Sequence, residues 1–183
     1  MLEKLIAIAE SQVGVREIGG NNRGDKIREY QTATDLAPGA WPWCAAFTDW
    51  CIKEWLEDSQ VVKWLEDSQV VKWLNLKNRT PEEWRPKTAL AYGLTAWAKK
   101  RPNTTRIFTE KDKAKLGDIV TFDFSHVGFV VSDNGIWIET LEGNTNGKGE
   151  RDSESGDGVW RKIRKKTLVK DLIRINPSGS INK

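Results

Sequence analysis

An export signal is missing from this sequence. The apolar stretch from Leu5 to Ala9 is too short for one, Glu3 and Glu10 flank it, and no small-residue cleavage pattern follows. Also missing is any apolar run near the roughly 20 residues that a bilayer-crossing helix requires, which excludes a transmembrane anchor. Cysteine is scarce: Cys44 and Cys51 lie in a stretch that reads as one helix, and at about 1.5 Å per residue they stand roughly 10 Å apart, beyond disulfide reach. With no disulfide between them, the two thiols have different jobs, and one is free for chemistry. The net charge of +3 is mild, and no nucleic-acid-binding module is legible. These absences lead us to expect a protein made in the cytoplasm, with no stable membrane insertion and no nucleic acid as partner.

The sequence does hold a large apolar stock, with ten tryptophans and a hydrophobic share of 38% against 30% charged residues. A chain of 183 residues with that make-up can bury a core without disulfide or metal, so one globular domain over 1–183 is expected. Leu2, Leu5, Ile6, Ala9 and Val13 repeat at helical spacing. After a Gly- and Asn-rich loop from Gly14 to Gly24, a short helix is expected around Asp25 to Thr32. The loop Pro38-Gly39-Ala40-Trp41-Pro42 then delivers the chain to a helix starting at Trp43-Cys44, and a further helical pattern runs through Leu90, Leu94 and Trp97. From Asp118 the texture changes to β-branched and aromatic runs, at 118–124, 127–131, 136–141, 159–164 and 172–175, with Asp133-Asn134-Gly135 as a hairpin turn. Helices first and antiparallel strands afterwards predict an α+β fold, with the helices on one side of the sheet.

Two features fit no element. Trp55 to Lys63 reads WLEDSQVVK, and Trp64 to Lys72 repeats it unchanged. The period of nine is too short for a solenoid unit. Nine residues turn a helix by about 900°, so each copy points its apolar groups opposite to the last. The duplication reads either as an inserted helical segment or as an interaction helix for self-association. The second feature is the basic cluster Arg161, Lys162, Arg164, Lys165, Lys166 and Lys170. It reads either as a solvated strand face or as a contact for anionic wall polymer or a membrane surface.

The chemistry centres on Cys44. The attacking form of cysteine is the thiolate, and the first turn of a helix favours it through the macrodipole and through free N–H groups able to hold an oxyanion. An imidazole would complete the activation and later protonate a leaving amine, and His126 is the chain's one histidine. It opens the run Ser125-His126-Val127-Gly128, where side chains alternate between faces and Gly128 is its same-face neighbour. A three-residue hairpin loop, Asp133 to Gly135, pairs Ser132 with Ile136 and sets His126 opposite Glu142, with Asn144 on the same face. Either Glu142 or Asn144 then orients the ring, as the third member of a triad does. Trp41 and Trp43 are candidates to line the cleft.

Pro42-Trp43-Cys44-Ala45-Ala46-Phe47, Trp50-Cys51, Gly117-Asp118-Ile119-Val120, Ser125-His126-Val127-Gly128 and Glu142-Gly143-Asn144 resemble the successive motifs of the CHAP family, the cysteine, histidine-dependent amidohydrolases and peptidases. The resemblance spans about Leu2 to Ile175. It implies a papain-like fold, with a nucleophile-bearing helix against an antiparallel sheet. It also implies cleavage of an amide bond in bacterial peptidoglycan, by an N-acetylmuramoyl-L-alanine amidase or an endopeptidase, with Cys44, His126, Glu142 and Asn144 at the family's functional positions. Many members are phage endolysins, which reach the wall through a holin or on a virion. Two departures stand out: the segment from Lys53 to Pro86, duplication included, is long, and the acidic calcium loop of some members is absent. No cofactor and no metal are expected; Asp152, Glu154 and Asp157 fail the EF-hand spacing. With one domain expected, no dedicated wall-binding module is expected to assist. A thiol acyltransferase, a deconjugating peptidase, or a domain that only binds wall peptide are the alternatives.

Overall fold

A computed structural model describes residues 1–57, 73–74, 76, 79–148 and 156–176. Most of the duplicated WLEDSQVVK segment lies outside the described residues, as do Asp152 and Glu154. The first helix, α1 (Leu2–Glu10), buries Leu5, Ile6 and Ala9 on one stripe, as its spacing predicts, while Val13 falls beyond its end and is exposed. Helix α2 (Asp25–Gln31) follows Gly24, whose φ of 128° suits glycine. Helix α3 (Cys44–Glu57) is buried on nearly every side, from Cys44 through Cys51 to Trp55 and Leu56, which makes it the central element of the core. Helix α4 (Pro81–Trp84) is fixed by a capping box between Thr80 and Glu83 with Pro81 in its first turn, and α5 (Ala91–Lys99) follows.

The described residues also form six strands: β1 (Thr105–Phe108), β2 (Ile119–Phe122), β3 (Val127–Asp133), β4 (Trp137–Thr145), β5 (Gly158–Lys165) and β6 (Val169–Ile175). They form one antiparallel sheet in the order β1-β6-β2-β3-β4-β5, so the α+β class read from the sequence is the observed one. Strand β1 was not anticipated. Alternation along the strands sorts the sheet's apolar side chains into two layers. Ile119, Val127, Phe129, Leu141 and Ile173 join the helices in the main core. Val120, Phe122, Val130, Ile138 and Leu172 form a smaller cluster on the other face, with Phe124 and Leu168 packed on it.

The basic cluster divides between two faces, with Arg161, Lys165 and Lys170 exposed as a solvated strand face requires. Its alternate members Lys162, Arg164 and Lys166 are buried along the β5 side chain rhythm. Lys162 donates to the carbonyls of Asn146 and Lys148, Arg164 to the carboxylate of Glu142, and Lys166 to Asp133 at 2.8 Å. Arg161, which stays half-exposed, is paired with both Glu10 and Glu139. Burying such charges costs several kcal/mol each unless they are paired, and the pairing accounts for their place in the fold.

Candidate active site

The approach to Cys44 is set by a buried amide. Gln31, at the end of α2, donates through Nε2 to the carbonyls of Gly39 (2.7 Å) and Trp41 (3.2 Å) and accepts from the Gly39 N–H at 3.1 Å. These three bonds fix the loop that Pro38 to Pro42 form. Trp41 is half-buried, and its indole N–H is spent on the Ala37 carbonyl at 2.9 Å. Trp43 does not line a cleft. It is fully buried, stacked on Tyr30 with centroids 5.6 Å apart, and it donates to Glu17 at 2.8 Å. Its indole anchors the start of α3 in the core.

Cys44 is the first residue of α3, where the N–H groups of the opening turn have no partner within the helix. Both cysteines are free. Cys51 is buried two turns further on, and burial pushes its thiol well above the usual range, which leaves it protonated and inert.

His126 enters from the turn between β2 and β3. Ser125 takes a left-handed φ of 60°, and Tyr92, reaching over from α5, clamps the turn from both ends. Its hydroxyl donates to the Phe122 carbonyl at 2.9 Å and accepts from the Ser125 N–H at 2.9 Å. The imidazole is fully buried and stacks near-parallel on Phe124 (5.8 Å) and Phe122 (6.1 Å). Its Nε2 lies 2.9 Å from Oε2 of Glu142, and its Nδ1 makes no hydrogen bond among the described residues. Burial by itself works against a charged ring, but hydrogen bonding and charge from Cys44 and Glu142 outweigh it and raise the imidazole to about 9.

Glu142 is likewise fully buried, and every partner it has favours the anion. Thr140 donates to Oε1 at 2.5 Å, while Arg164 spans both oxygens, from Nε at 3.0 Å and from Nη2 at 2.6 Å. Burial opposes its ionisation, yet His126 and Arg164 together hold it down at about 2.

The strand register that produces this contact differs from the one expected. Ser132 pairs with Glu139 rather than Ile136, and the chain turns through 134–136. Asp133 stays in β3 because its carboxylate accepts from the N–H groups of Ala114 and Gly135 and pairs with Lys166. A one-residue shift between Val130 and Ser132 then resets the ladder to Phe129 opposite Leu141. Continued by one step, that register sets Gly128, not His126, opposite Glu142, and His126 meets the carboxylate diagonally. Gly128 makes the approach possible: a Cβ there would lie 2.6 Å from Cγ of Glu142.

Asn144 is buried in a left-handed conformation (φ 54°), and its Nδ2 has no partner among the described residues. The group on the imidazole is therefore Glu142. Sequence reasoning missed Gln31, Tyr92 and Arg164. Only Arg164 left a signal, since the alternation Lys162, Arg164, Lys166 marks one face of a strand. Among the described residues no group of three or more His, Cys, Asp or Glu side chains is arranged to hold a metal ion. Asp157, the described member of the acidic loop, pairs with Arg16 and accepts from the Trp160 indole.

No family model matches the sequence, and no curated protein matches it. Among solved structures, the fold is similar to the crystal structure of Ly7917 with the hydrolyzing product of MDP, with a TM-score of 0.46 and 13% identity over 96% of this chain. The present chain spans 63% of the length of that one, and at this level of similarity no chemistry is transferred from it.

Proposed function

We propose that the chain is a cysteine-dependent hydrolase that cuts an amide bond in the peptide of bacterial peptidoglycan. The observation that carries the reading is the buried Glu142 carboxylate on Nε2 of the chain's one histidine, which leaves Nδ1 without a hydrogen-bond partner among the described residues, in a chain whose Cys44 opens α3. Cys44 gives its proton to Nδ1 of His126, and the thiolate adds to the substrate carbonyl carbon. Backbone N–H groups in the first turn of α3 steady the oxyanion that forms. As the intermediate collapses, the C–N bond breaks and His126 returns its proton to the departing amine, leaving a thioester on Cys44. A water then gives a proton to His126, its oxygen attacks the thioester, and the acid leaves as the thiol reforms. Glu142 keeps the ring oriented and stabilises it while charged. The peptidoglycan substrate rests on the motif resemblance to CHAP-family hydrolases, which also supports a lysin acting on the wall.

The test is incubation of the parent and Cys44→Ala with purified peptidoglycan, with the released ends identified by mass spectrometry. New L-alanine amino ends made only by the parent indicate an amidase, and other new amino ends an endopeptidase. No Cys44-dependent product from walls of several chemotypes would overturn the substrate assignment, and product transfer to an added amine would reassign the chemistry to acyl transfer.

A further inference from the structure

A neutral imidazole has one proton for two nitrogens, and it takes a proton from Cys44 only when the Nδ1 lone pair is free. The partner on Nε2 decides this through its own charge. An ionised carboxylate only accepts, so the ring proton must sit on Nε2. A carboxylate that has gained a proton, or that passes it to the ring, leaves Nδ1 already occupied. Glu142 is under pressure to gain one, because it is fully buried and burial favours the neutral acid.

Arg164 opposes that pressure. Its guanidinium does not deprotonate, and it meets both carboxylate oxygens at once, in the two-pronged geometry that suits this pair. It is itself held in place: Nη2 also reaches Oγ1 of Thr145 at 3.3 Å, and the guanidinium carbon lies 5.6 Å and 5.4 Å from the ring centroids of Phe122 and Phe124. The same two rings flank the imidazole. Among the described residues, the charged and titratable groups named against His126 come from three elements: Cys44 on α3, Glu142 on β4 and, through Glu142, Arg164 on β5.

We propose that Arg164 is a positioning residue for the Cys44–His126 pair: its guanidinium fork holds Glu142 in place as an anion, so that Nε2 keeps the ring proton and Nδ1 is left to exchange one with Cys44. In that exchange the S–H bond breaks and an N–H bond forms at Nδ1, with the electron pair left on sulfur. Without the guanidinium, the buried site neutralises itself by taking one proton more, which falls on the Glu142–His126 bond and leaves Cys44 a thiol. This role rests on the cysteine-hydrolase reading for its purpose, though its test needs no substrate.

The experiment is the pH dependence of Cys44 alkylation by iodoacetamide in the full chain, with the adduct located by mass spectrometry. Arg164→Gln is expected to raise the pH at which Cys44 becomes reactive by at least one unit, so that the rate at pH 7 falls tenfold or more while the plateau at high pH changes less than twofold. Arg164→Lys, which keeps the charge, is expected to restore the parent midpoint within a few tenths of a unit. An unmoved midpoint in Arg164→Gln, with or without a lowered plateau, overturns the proposal. If Arg164→Gln does not fold at neutral pH, thermal melts down to pH 5 decide. Recovery of the fold as the extra proton binds supports the role, and an equal deficit at pH 5 and pH 8 overturns it. Failure of peptidoglycan cleavage would leave this result untouched, and the reverse also holds.

Discussion

Replacing Gly128 by alanine adds one methyl group to the tightest point behind the candidate site. The new Cβ would stand 2.6 Å from Cγ of Glu142 and 2.7 Å from the Leu141 carbonyl oxygen, whereas ordinary contact begins near 3.4 Å. The carbonyl belongs to the β4 backbone and yields little, so the Glu142 side chain must retreat by roughly 1 Å, a misplacement that typically costs about 100-fold in rate. That movement breaks the 2.9 Å contact with His126 and the 2.5 Å bond from Thr140. Crowding of this kind also destabilises a fold by about 1–3 kcal/mol, which leaves a domain of this size folded. The assay is the initial rate of amino-end release from peptidoglycan, paired with an NMR titration of the imidazole, whose signal needs no assignment because the chain has one histidine. We expect the rate to fall about 100-fold and the titration midpoint to drop from about 9 as the carboxylate withdraws. A folded Gly128→Ala protein with parental rate and midpoint would refute the reasoning.

Three further outcomes follow from the geometry. Because His126 rises to about 9 on folding, from about 6.5 in an unfolded chain, it contributes stability that is fully present below about pH 6.5 and is lost as pH climbs through about 9. That contribution is on the order of 3 kcal/mol, and denaturant unfolding at pH 6 and pH 10 reads it; equal stabilities would contradict the pairing. Trp43→Ala removes a buried indole and should cost about 3–5 kcal/mol in unfolding experiments, whereas a selective rise in KM with unchanged stability would return Trp43 to the cleft. Tyr92→Phe deletes both hydrogen bonds that clamp the His126 turn, and should lower kcat about tenfold with little change in KM and a stability loss of about 1–2 kcal/mol; an unchanged kcat would show that the turn holds itself.

Among the described elements, every helix except the four-residue α4 (Pro81–Trp84), and five of the strands, were legible because apolar spacing changes from helical to alternating near Asp118. Strand β1 was not, since Thr105–Phe108 is four residues long and sits among charges. The pairing of His126 with Glu142 was anticipated through a register that the structure does not have, because the chain turns later than Asp133-Asn134-Gly135 suggests, and the one-residue shift at Val131 restores only part of the difference. Asp133 looked like a turn residue by composition and is a strand residue by its contacts with Ala114 and Lys166. Trp43 was misplaced for a similar reason: an indole beside a nucleophile suggests a cleft, but its partner Glu17 lies in a distant loop that spacing does not connect. Arg164 was counted as surface charge, because its counter-ion is on a neighbouring strand and appears only once β4 and β5 are paired.

The mutual closure of Glu142 and Arg164 has a consequence for how the protein responds to its medium. Their formal charges cancel, and a proton passing from Cys44 to His126 creates one charge of each sign, so the buried group of four has no net charge before or after. What changes is the direction of a dipole, whose field decays faster with distance than that of a lone ion. Dissolved salt, which screens over about 8–10 Å at physiological strength, therefore has little to act on inside the site. Sensitivity to ionic strength should instead reside in steps where the chain meets charged polymer, which makes salt a means of telling binding apart from bond cleavage.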